Sequence, residues 1–166
     1  MRLHPIITTI CLAVLSGCAT PASFAPADQK ASPMTMHARG TFDVRMAPLP
    51  QDAPAGSTHG RMSLDKTYAG DLVGTGKGEM IAIRPNDEGS GVYLAIERVS
   101  GALNGRAGAF SLAHRGVMTR GAQDLRITIV PGSGDGALVG IAGELKLDIR
   151  DGQHFYDIAY TLPPAD

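Results

Sequence analysis

Apolar and polar residues alternate with period two along most of the chain. In MHARGTFDVRM, Phe42, Val44 and Met46 share one face, while Arg39, Asp43 and Arg45 take the other. That period places successive side chains on opposite faces of a β-strand. The pattern returns over 61–69, 72–83, 92–103, 107–119, 125–130, 138–149 and 154–162. No stretch combines a helical period with caps. About eight strands joined by short turns predict an all-β, up-and-down antiparallel sheet. Closing that sheet into an eight-stranded barrel removes its exposed edges. Gly74, Gly76 and Gly78 within one strand would permit the coiling that closure needs.

Two turns set the strand register. Asn104-Gly105 and Asp151-Gly152 are strong signals for two-residue hairpins. Counting back from the second sets Ile149 opposite His154, Leu147 opposite Tyr156 and Leu145 opposite Ile158, with Lys146 facing Asp157 on the other side. Apolar meets apolar, and charge meets opposite charge. Counting back from the first sets Leu103 opposite Arg106, Val99 opposite Phe110, Glu97 opposite Leu112 and Ala95 opposite His114. Glu97 and His114 therefore lie diagonally on one face, with Cβ atoms roughly 7 Å apart. Tyr93, Val99, Leu103, Phe110 and Leu112 share that face, which makes it the apolar one. The other face carries Arg98, Ser100, Ser111 and Arg115 but also Leu94 and Ile96, so polarity does not divide cleanly.

A carboxylate buried beside an imidazole can act as an acid–base pair, because each shifts the other's pKa. The same pair can be purely structural, since pairing satisfies two groups that are costly to bury alone. Glu97 and His114 are the candidate catalytic residues on the first reading. Lys66 shares a face with Met62, Leu64 and Tyr68, and is expected at a barrel rim with its amine in water. If it enters the lumen, it joins Tyr93, Phe110, Tyr156 and Tyr160 as a candidate ligand contact.

The N-terminal residues read as a targeting segment. Arg2 precedes an apolar run, Ile6 to Leu15, too short to span a bilayer. Leu15-Ser16-Gly17-Cys18 follows and resembles a bacterial lipobox, with Cys18 as the lipidated residue. The expected organisation is a lipoprotein signal peptide over 1–17, an Ala/Pro/Ser-rich tether over 18–33 and a β-barrel domain over 34–164. Cys11 would leave with the signal, so the domain would hold no disulfide, thiol nucleophile or cysteine metal ligand. Ala19 stands where an aspartate often retains Gram-negative lipoproteins at the inner membrane. The expected location is the cell envelope, facing the periplasm and leaning towards the outer membrane.

The chain's net charge of −1 offers no basic field for nucleic acid. GDLVGTGKGEM looks like a phosphate loop, but its spacing is off by one, Lys77 is followed by Gly78, and no helix follows. Ser63-Leu64-Asp65-Lys66 has the spacing of a serine–lysine nucleophile motif, yet it lies in a strand pattern without partner motifs. His37, His59, His114 and His154 fall on different strands with no metal-ligand spacing. Neither a metal nor a cofactor is expected. In the glycine-rich stretch PGSGDGALVG, Asp135 is expected to cap the turn.

Three blocks appear in order: AIERVSGALNGRAGAFSLAHRGVM, IVPGSGDGALVGIAGELKLDI and DGQHFYDIAYTLP. They resemble the bacterial domain-of-unknown-function family 3224 over Met34 to Leu162. The resemblance implies an eight-stranded antiparallel barrel similar to that of allene oxide cyclase. It implies no activity, and no motif of that enzyme is present. Three roles stay open: an envelope lipoprotein binding a small, mostly apolar ligand; a cofactor-independent isomerase, cyclase or hydrolase; or an interaction module with a filled barrel. Closed barrels of this type often associate, which leaves a homodimer open by analogy.

Overall fold

The computed structural model describes residues 34–52, 56–85 and 88–164. The expected signal peptide and tether, Cys18 included, lie outside the described residues. The strands are β1 (Met36–Pro48), β2 (His59–Gly70), β3 (Leu72–Ile83), β4 (Gly91–Leu103), β5 (Arg106–Thr119), β6 (Ala122–Ile129), β7 (Ala142–Arg150) and β8 (Gln153–Thr161). Each pairs antiparallel with the next, and β1 pairs with β8. The alternation thus folds as an up-and-down, eight-stranded closed barrel.

The two hairpin turns carry positive φ at both central residues: 47° and 78° at Asn104-Gly105, 51° and 80° at Asp151-Gly152. This is the primed turn whose twist matches that of the flanking strands. Every cross-strand pair counted from these turns is present in the β4–β5 and β7–β8 registers. A third turn of the same kind, Arg120-Gly121, has φ of 49° and 84°. Its arginine is not a residue that favours the left-handed region, so the pattern gave no warning of it.

One expected strand begins late. Residues 138–149 were expected to be extended throughout, but Gly136–Leu138 form a single 3-10 turn and β7 starts at Ala142. Leu138 and Ile141 are each 1% exposed and belong to the core cluster that closes this end of the barrel. Asp135 does not cap its own turn. Its carboxylate accepts the Ala109 N–H at 2.7 Å and pairs with Arg98, tying the segment to β5 and β4. The backbone N–H groups of Val130 and Asp135 donate to the carbonyls of Ser111 and Ala109, each at 2.8 Å.

The barrel is therefore asymmetric. Leu72, Leu103, Phe110, Leu138, Ile141 and Tyr160 pack its sealed end. The opposite end holds the β1–β2, β3–β4, β5–β6 and β7–β8 connections. Leu94 and Ile96, the residues that blurred the polarity of β4, stand outside at 55% and 60% exposure. The wall is uneven too. β4 and β5 pair along their whole length, whereas β6 meets β7 only through Ile127 with Leu145 and Thr128 with Glu144.

Candidate functional site

Glu97 projects inward from β4 and has no exposed surface. On β3, the neighbouring strand, the inward positions nearest it are Gly76 and Gly78. A Cβ on Gly76 would collide with Glu97 Oε1, and one on Gly78 would collide with the Ile96 carbonyl. This stretch of β3 consequently offers no inward side chain. Side chains of β2 can then cross it and meet those of β4.

Lys66 and Tyr68 make that crossing from β2. Lys66 Nζ lies 2.7 Å from Glu97 Oε2, and the Tyr68 hydroxyl donates to Glu97 Oε1 at 2.8 Å. Lys66 is 6% exposed, which corrects the expectation of a rim lysine with its amine in water. The physical reason is the gap left by Gly76: the amine lies inside against a carboxylate, 4.5 Å from the Phe42 ring centroid. Cation–aromatic attraction adds to the ion pair.

His114 reaches the same carboxylate from β5. Its Nε2 stands 3.2 Å from Glu97 Oε2, so the diagonal pair read from the Asn-Gly turn is in contact. The approach is off-line for a hydrogen bond, and Nε2 is buried without an aligned partner. Burial alone would raise the Glu97 pKa, but His114, Lys66 and the Tyr68 hydroxyl together hold it below the ordinary value. Glu97 is accordingly ionised at neutral pH. Burial, then the Glu97 charge, push the Tyr68 hydroxyl far above the ordinary tyrosine range, so it remains a donor.

Above this cluster the barrel opens into a pocket of about 230 Å³. Val44, Leu64, Met80, Ile127 and Leu147 supply much of its apolar wall. Lys66, Tyr93, His114 and His154 are its titratable groups, and no carboxylate lines it. Tyr93 is held in place by the absence of a side chain on Gly116, its partner across β4 and β5. His154 stacks on Phe42 with centroids 4.9 Å apart. Burial and the Lys66 charge lower the His154 pKa, while Asp43 opposes them.

Of the five expected ligand contacts, Lys66 and Tyr93 line this pocket. Phe110, Tyr156 and Tyr160 do not. Phe110 is fully buried core. Tyr156 accepts the Leu72 N–H at 2.9 Å and donates to the Ala69 carbonyl at 3.1 Å. The Tyr160 hydroxyl receives Asn104 Nδ2 at 2.9 Å. Both tyrosines spend their hydroxyls on the sealed end, beyond reach of the mouth. The sequence reading missed His154 and the role of Gly76. Its one available signal for His154 was the β7–β8 register, which pairs it with Ile149. Among the described residues, no group of three or more His, Cys, Asp or Glu side chains is placed to hold a metal ion.

The model of a protein family of unknown function, DUF3224, matches residues 38–160. The chain belongs to the DUF3224 family. A crystal structure of a DUF3224 protein of unknown function from Shewanella oneidensis MR-1 is 41% identical to it, with a TM-score of 0.75. The match covers 80% of this chain and all of that one. No curated protein matches the chain. For this DUF3224 barrel, the site's chemistry must therefore be argued from its own side chains. It presents two nitrogen bases and a tyrosine donor around one sealed carboxylate, beneath an apolar mouth.

Proposed function

We propose that the protein is a cell-envelope lipoprotein whose barrel mouth binds a small, mostly apolar molecule. The observation that carries the binding half is the apolar pocket of about 230 Å³ open at one end only. Concave, largely apolar sites with a few placed polar groups are the usual form of small-molecule sites. Glu97 is a positioning residue in this reading. Both its oxygens are engaged and it has no exposed surface, so it orients Lys66 and His114 and does not touch the bound molecule. That geometry favours binding over acid–base chemistry by Glu97 itself.

The lipoprotein half rests on Leu15-Ser16-Gly17-Cys18. Two or more acyl chains on Cys18 would give stable attachment. Native mass spectrometry of the gently extracted protein tests the binding half. A co-purifying molecule of a few hundred daltons is expected; a bare protein that also takes up no apolar probe would reject it. Metabolic labelling with a fatty acid tests the anchor, and label surviving in Cys18→Ala would reject that half.

A further inference from the structure

We propose that the molecule bound at the mouth is a monoanion: an apolar body ending in one negatively charged group that seats against Lys66 and His114. This rests on the binding reading above and adds the charge of the occupant.

Three observations carry it. First, the pocket's titratable groups are Lys66, Tyr93, His114 and His154, with neither Asp nor Glu among its lining residues. Second, the nearest carboxylate inside the barrel is sealed. Glu97 is fully buried, with Oε2 against Lys66 and Oε1 against the Tyr68 hydroxyl. It presents no exposed oxygen to a cation at the mouth. Third, donors remain. An ammonium carries three N–H groups. Lys66 directs one to Glu97 at 2.7 Å and one to the Tyr68 hydroxyl at 3.5 Å, leaving one without a protein acceptor among the described residues. His114 stands beside it on the pocket wall, its Nε2 3.2 Å from Glu97 Oε2.

These observations also limit the charge to one. Lys66 keeps one N–H without a protein acceptor among the described residues, so one anionic group can be received; a second negative charge would be buried without a donor. A cationic head would meet Lys66 directly and find no carboxylate in the lining.

The test compares three probes of equal chain length against the purified full chain: octanoate, 1-octanol and octylammonium, by calorimetry at low salt. Octanoate is expected to bind at least about tenfold more tightly than octanol, the factor that one hydrogen bond to a charged group supplies. Octylammonium is expected to bind more weakly than octanol. Octanol binding as tightly as octanoate, or octylammonium more tightly, overturns the inference and leaves the binding reading standing. If no probe binds, both fall. Lys66→Met combined with Glu97→Gln removes both charges together, so no lone charge is left buried. In that variant the octanoate preference should drop to about onefold; a preference that persists shows that Lys66 is not the recognising group.

Discussion

Burying a lone carboxylate costs several kcal/mol, and Glu97 meets that cost with three partners drawn from two strands. The partners differ in what they leave behind when removed. Lys66→Met strands a buried charge and should destabilise the fold by about 3–5 kcal/mol in urea unfolding. Adding Glu97→Gln should recover part of that loss, because both charges then disappear. The pH dependence has a definite sign. Glu97 titrates below its ordinary value of 4.5 in the fold, so the unfolded chain takes up its proton first. Its contribution is complete above about pH 4.5 and is lost as pH falls through the lower folded-state value. Stability measured from pH 6 to pH 3 should therefore fall less steeply in Glu97→Gln than in the parent. Asp157, also held low by His37 and Arg39 against a burial effect that raises it, is present in both proteins and cancels from the comparison. Gly76→Ala should cost roughly 1–3 kcal/mol by forcing a methyl into the Glu97 carboxylate. That cost should shrink in a Glu97→Ala background, as double-mutant coupling would show.

At the level of strands, legibility followed turn chemistry. Wherever a two-residue Asn-Gly or Asp-Gly turn occurs, the register followed by counting, which is why the diagonal placement of Glu97 and His114 was legible in the sequence. Lys66 resisted the same treatment. It meets Glu97 across an intervening strand, and that contact depends on the empty inner face of β3, a property of three strands together. Period-two alternation placed Lys66 on the correct face but carried no information on how deep the side chain lies. The late start of β7 has a similar cause: Leu138 and Ile141 are apolar because they close an end, and alternation reads that as a wall. The wall itself makes a prediction. Because β6 and β7 share only two paired positions, their amides should exchange with deuterium faster than those of the fully paired β4–β5 hairpin. Equal protection along both pairs would show that the seam opens no more readily than the rest.

For the molecule as a whole, one end is core and the other is pocket. Leu138→Ala at the sealed end should cost about 2–5 kcal/mol, as deletion of buried leucine methyls does elsewhere, measurable by denaturant unfolding. Substitutions on the mouth wall should be gentler, because a pocket already interrupts the packing there. β1 begins at the sealed end, and β8 finishes there beside it, with Met36 paired to Tyr160. A fluorescent protein or affinity tag joined directly before Met36 or after Thr161 will consequently attach at the base of the cup, away from its rim.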